Sequence, residues 1–193
     1  MVKCSYTDKT VKCKTSSKLS NKKTSSISFR INEEYEKILR IIAEENKTSL
    51  NTLANQIFGN YVEFELYAKQ FGTLRMSTDT FRRMLNSMDE KNIVEIATVC
   101  GSEEVKEFIL FKWKEVTSKT IRDFIKIYFD LCGYGRCNID ATEGSVTFSV
   151  HHDLQEKGSL FLKHLFEALI RTSLGKDCKT TLTKDTITIS FQP

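Results

Sequence analysis

The chain has 193 residues, 40% of them apolar and 28% charged, with a formal charge of +4 and a single proline, enough apolar material for a small domain plus a medium one. Collagen-like and disordered compositions are excluded, and no run approaches the roughly 20 apolar residues that span a bilayer. The N-terminus lacks the apolar core and small-residue cleavage site of a secretory signal, so the expected location is cytoplasmic, with no membrane partner.

The charge is unevenly placed. Residues 1–25 hold seven lysines against Asp8, a local charge of +6 that leaves −2 for the rest of the chain. This Ser/Thr/Lys-rich stretch has too few large apolar residues to fold alone, so residues 1–24 are expected to form a basic, flexible arm. Cys4, Cys13, Cys100, Cys132, Cys137 and Cys178 are scattered through a chain able to build its own core, and free thiols are expected.

From Ser26 the pattern becomes strictly alternating. Ile27, Phe29 and Ile31 form one apolar face, Ser26, Ser28 and Arg30 the other, which predicts a half-buried strand over 26–31. Asn32 offers an N-cap, Glu33 and Glu34 suit the positive end of a helix dipole, and Tyr35, Ile38, Leu39 and Ile42 recur at helical spacing. The period lapses at 45–47, where Asn46 is available for a left-handed turn. Ser49 then caps a second helix carrying Leu50, Leu53, Ala54, Ile57, Phe58 and Tyr61.

A lone strand has no pairing partner in this segment, and its backbone groups cannot stay unpaired against a core. The economical arrangement is an antiparallel ribbon with the same strand of a second chain, which buries Ile27, Phe29 and Ile31 over four interleaved helices. Dimerisation is then part of folding.

The stretch Ala43-Glu44-Glu45-Asn46-Lys47-Thr48-Ser49-Leu50-Asn51, preceded by the alternating strand, resembles the link between the two helices of the ribbon-helix-helix family of Arc-like DNA-binding repressors. The resemblance covers residues 24–65. It implies that Ser26, Ser28 and Arg30 enter the major groove and that Ser49, Leu50 and Asn51 grip a phosphate. The family often has glycine where this chain has Lys47, so a different cap is expected at that turn.

Physical chemistry supports the same roles. A two-stranded ribbon fits the B-DNA major groove, and Arg30 can donate two hydrogen bonds to guanine O6 and N7. The free amides of the helix start at Ser49 form an anion site that positions without specifying. Lys22 and Lys23 in the arm are expected on flanking phosphates, which makes affinity salt-dependent.

The second helix is expected to run on to an interruption at Phe71-Gly72, giving a DNA-binding domain over 25–70 and a C-terminal α+β effector or oligomerisation domain over 73–193. Ser77 or Thr78 caps a helix ending near Asn86. Ser87-Met88-Asp89-Glu90 has capping-box spacing ahead of Ile93, Val94, Ile96 and Ala97. Gly101 is expected to stop that helix, Ser102 to start another toward Trp113, and Ser118 a further one before Gly133. Alternation over 137–141 and 146–150, a helix over 154–172, and alternation over 178–182 and 186–191 predict a four-stranded antiparallel ββαββ sheet covered on one face by helices.

His151-His152-Asp153, with His164 farther on and Cys132 and Cys137 across the hairpin, is the densest polar cluster in this half. A soft-metal sensor on His151, His152, Cys132 and Cys137 matches no standard spacing, and adjacent strand residues face opposite sides, so no metal is assigned. No phosphate-cradling glycine loop, nucleophile elbow or HExxH pair supports an enzyme, and no cofactor is expected. An apolar cavity between sheet and helices would suit a small effector, an alternative that the sequence does not separate from pure oligomerisation. The expected function is a transcriptional regulator, a repressor by resemblance, acting on double-stranded DNA as a homodimer or dimer of dimers. The alternative is an antitoxin-like interaction protein that grips a protein partner.

Overall fold

The computed structural model describes residues 24–133, 135–142 and 144–192. They form a mixed α+β fold, with helices followed by a four-stranded antiparallel sheet. Among the described residues no helix is long and apolar enough to cross a membrane.

Helix α1 (Glu33–Glu45) starts where expected: the Asn32 side chain accepts a hydrogen bond from the Glu34 amide at 2.8 Å, and Glu33, Glu34 and Glu36 crowd its positive end. Its end differs from the expectation at Asn46, which keeps φ at −83°, while Lys47 takes the left-handed conformation at φ 52°. The hydrogen bonds decide this. The Lys47 amide donates to the Glu44 carbonyl at 3.0 Å and the Thr48 amide to the Ala43 carbonyl at 2.9 Å, the pairing of a Schellman motif with Lys47 at its left-handed position.

Ser49 caps α2 (Leu50–Asn60) by accepting from the Thr52 amide at 3.0 Å. The helix runs on through a π-helical segment, Tyr61–Glu65, into α3 (Leu66–Phe71), and closes at Gly72 with φ 81°. The wide turn leaves backbone carbonyls in need of donors. Lys112, its side chain only 5% exposed, donates to the Glu63 carbonyl, pairs with the Glu63 carboxylate at 3.1 Å and lies 4.4 Å from the Tyr67 ring centre. The far half of this helix belongs to the main core, where Phe64 and Ala68 are buried together with Phe108 and Phe124.

The strand expected over 26–31 does not form within the single chain. A strand exists only through a ladder partner, and the four strands of the sheet pair among themselves.

Ser77 caps α4 (Thr78–Ser87). The capping box expected from Ser87 is replaced by a cap from Asp89, whose carboxylate accepts from the Asn92 amide at 2.8 Å to start α5 (Glu90–Val99). The Ser87 hydroxyl is already engaged, donating to the Met84 carbonyl at 2.7 Å. Gly101, expected as a stop, sits inside a second π-helical segment, Cys100–Glu104, which leads directly into α6 (Val105–Trp113). Ser102, expected to open a new helix, donates back to the Thr98 carbonyl at 2.8 Å. After Lys114 at φ 64°, the reciprocal Thr117–Thr120 capping box opens α7 (Ser118–Cys132), which ends at Gly133 with φ 72°.

The ββαββ expectation holds. Strands β1 (Gly135–Ala141) and β2 (Val146–His152), helix α8 (Gln155–Leu174), and strands β3 (Lys179–Leu182) and β4 (Thr186–Phe191) make an antiparallel sheet ordered β1-β2-β4-β3. Ile139, Phe148 and Ile189 stand in one cross-strand row and Cys137, Val150 and Ile187 in the next, so the period-2 apolar residues share a face. That face packs on α8, where Phe148 meets Phe166 edge to face at 5.3 Å. Helix α8 buries residues around most of its circumference because α5 and the second π segment cover its other side.

At the β2–α8 turn the buried His152 accepts the Leu154 amide on Nδ1 at 3.2 Å, and its Nε2–H donates to Ser159 Oγ at 2.9 Å. Ser159 in turn donates to the Thr183 carbonyl at 2.8 Å. This chain of bonds is complete only with a neutral ring, and burial holds the His152 pKa below 6.5; His164 on α8 shifts the same way for the same reason. Above pH 6.5 the ring is neutral in both folded and unfolded chains, so the network contributes in full. As pH falls below 6.5 the unfolded chain takes up the proton first and stability declines. Denaturant midpoints should therefore drop between pH 7 and pH 5, and His152→Gln should flatten that slope.

Candidate nucleic-acid interface

The N-terminal helices bury little against each other in one chain. Between α1 and α2 only Ala43 and Leu53 are fully covered. Ile27, Phe29 and Ile31 are 77%, 57% and 46% exposed, and Tyr35, Ile38 and Ile41 of α1, Ile57 and Phe58 of α2 and Tyr61 after it are exposed as well. An apolar set this dense on one small module marks an interaction surface. Ile41 was missed by the sequence reading, which followed the Leu39–Ile42 stripe; the run Ile41-Ile42 was its only signal, since it makes α1 apolar on more than one side.

Of the three expected dimer-core residues, the structure brings Phe29 to a named partner. Its ring stands edge-on to Phe58 of α2, with centres 5.5 Å apart and planes at 84°. Ser26, Ser28 and Arg30 are exposed, and among the described residues Arg30 has no ion-pair partner.

At the start of α2, Ser49 Oγ and Thr52 Oγ1 are 2.8 Å apart, which holds the cap in place. Ser49 and Asn51 are exposed and Leu50 is half-buried. The amides of Leu50 and Asn51 belong to the first turn, where helix geometry supplies no acceptor, and no acidic side chain lies in that turn. An anion approaching Ser49 therefore meets free amides at the positive end of a dipole. Lys22 and Lys23 lie outside the described residues.

The α1–α2 link holds a lysine in a conformation that disfavours a Cβ. Lys47→Gly should raise the stability of the module by about 1 kcal/mol, read from denaturant melts, with no loss of helix content.

The metal candidates do not converge. His151 and His152 point to opposite faces: His151 is exposed with Nδ1 3.1 Å from Thr186 Oγ1, whereas both ring nitrogens of His152 are engaged in the buried network. Cys137 pairs in register with Val150 and shares the sheet face of His152, but burial pushes its thiol up to about 12, away from the thiolate a metal needs. Cys132 closes α7. Among the described residues no group of three His, Cys, Asp or Glu side chains is placed to hold a metal ion. Cys100, Cys137 and Cys178 are free thiols, as expected, and partly buried.

Compared with known proteins, the chain is matched by no protein-family model and by no curated protein sequence.

Proposed function

We propose that the chain is a homodimeric, sequence-specific DNA-binding transcriptional regulator in which the 26–31 segments of two copies pair as a ribbon-helix-helix. Ser26, Ser28 and Arg30 then face the bases of a major groove. The observation that carries the reading is the exposure of Ile27, Phe29 and Ile31 together with apolar residues of α1 and α2, in a segment whose sequence alternates them with Ser26, Ser28 and Arg30. Pairing two strands satisfies their backbone groups and covers that surface in one step.

The uncapped first-turn amides after Ser49 supply the phosphate contact, and the seven lysines of the first 25 residues supply the nonspecific attraction. The large buried core of helices and sheet from Phe64 onward supports a regulator with a packed second domain. An antitoxin-like tail that folds only on its partner would bury far less.

The test begins with genomic fragments selected on the purified protein. Arg30→Ala should then lose preference for the selected sequence by a factor of about 5 to 150, from about 1–3 kcal/mol per bidentate guanine contact, while sedimenting as a dimer. Equal discrimination by variant and parent overturns the assigned readout.

A further inference from the structure

We propose that the cavity between the two π-helical segments binds a small lipophilic cation, with Glu104 as its counter-charge. The cavity measures about 390 Å³, within the range of small-molecule sites. Half of its lining is aromatic: Phe64, Phe71, Phe108, Phe124 and Tyr128. The rings are in mutual contact. Phe71 meets Phe108 edge-on at 5.4 Å, Phe108 meets Phe124 at 5.7 Å, and Phe124 stacks on Tyr128 at 5.3 Å.

Three observations choose the ligand class. Glu104 is the one charged side chain in the lining, which contains no Lys or Arg. It is exposed, so it sits at the mouth, while Phe64, Phe108 and Phe124 are buried at the bottom. A carboxylate at the mouth of an aromatic-lined cavity favours a positive charge on an apolar body, because the carboxylate attracts the charge while the rings take the apolar part. An anion meets repulsion there, and a neutral apolar molecule gains nothing from Glu104.

The walls also depart from ordinary helix in the same place. Phe64 lies in the first π segment and Glu104 ends the second. Such segments are frequent at functional sites. The rim is formed by Gly72–Leu74, where the chain leaves α3 through the left-handed Gly72 and presents Leu74 at 79% exposure, an apolar side chain available to cover a bound molecule. Phe64 also belongs to the continuous helix that begins with α2, so a bound molecule touches an element shared with the N-terminal module.

The site does not depend on DNA binding, and the measurement is made without DNA. Thioflavin T, a small aromatic cation, should bind the full-length protein at one molecule per chain, with its fluorescence rising as it enters the cavity. Glu104→Gln, a change at an exposed position, should weaken thioflavin T about tenfold and leave the uncharged 2-(4-dimethylaminophenyl)benzothiazole within twofold of its parent affinity. No binding of thioflavin T overturns the proposal. So does an unchanged affinity in Glu104→Gln, or an equal loss for the charged and uncharged dyes.

Discussion

Phe29→Ala is expected to dissociate the protein and unfold its N-terminal helices, at a cost of about 3–5 kcal/mol per chain. The size of the effect separates the dimer from the isolated chain. In one chain the Phe29 ring is 57% exposed and meets a single aromatic neighbour, Phe58. Losing one such edge-to-face pair costs only about 0.5–1.5 kcal/mol. A loss several times larger requires a second chain over the ring, and because the change is made in both copies it acts twice on the association constant. Sedimentation at micromolar concentration, with helix content followed by circular dichroism, reads both consequences. Phe29→Leu should recover most of the loss, since it restores apolar volume without the ring. Unchanged association in Phe29→Ala would sink the ribbon pairing, and with it the placement of Arg30 in a groove.

Gly101→Ala should lower the melting temperature by about 6–12 °C, corresponding to roughly 3 kcal/mol in a chain of this size. Gly101 lies in the second π segment where it crosses α8. A Cβ there would fall 2.9 Å from the Leu165 carbonyl carbon, with the carbonyl oxygen nearer still. The obstacle is the backbone of a buried helix, so no side-chain rotation relieves it. The helices must separate, and α8 is the element that carries the sheet. A calorimetric scan checks the prediction. If the chain binds DNA as proposed, its affinity measured below the melting transition should stay the same, because the atoms a Gly101 side chain would meet belong to α8. A variant that melts with the parent would mean that α8 and the π segment do not approach as closely as described.

Local signals were legible in the sequence to the extent that one residue type settles one backbone group. Asn32, Ser49 and Ser77 each cap the helix that follows. The alternation in β1, β2 and β4 was equally plain, because a sheet with one covered face demands period 2. The misses arose where two residues competed for one role. Ser87 and Asp89 both suit an N-cap, and Ser87 is spent on the Met84 carbonyl. Asn46 and Lys47 both stand at the end of α1, and the carbonyls of Ala43 and Glu44 select the second.

What the sequence by itself determined is therefore the helix starts at Asn32, Ser49 and Ser77, the ββαββ order of the sheet half and its covered face, and the alternation of Ser26, Ser28 and Arg30 with Ile27, Phe29 and Ile31. All of these depend on neighbours within about one helical turn or one strand pleat. Tertiary structure alone decided that Gly101 is a crossing point, not a stop, that two helices widen into π segments, and that Lys112 closes on Glu63. It also decided that five aromatic residues and one carboxylate line a single cavity. The Gly101 crossing, the Lys112–Glu63 contact and the cavity each join residues tens of positions apart, where packing against a distant backbone outweighs the few tenths of a kcal/mol that local propensity supplies.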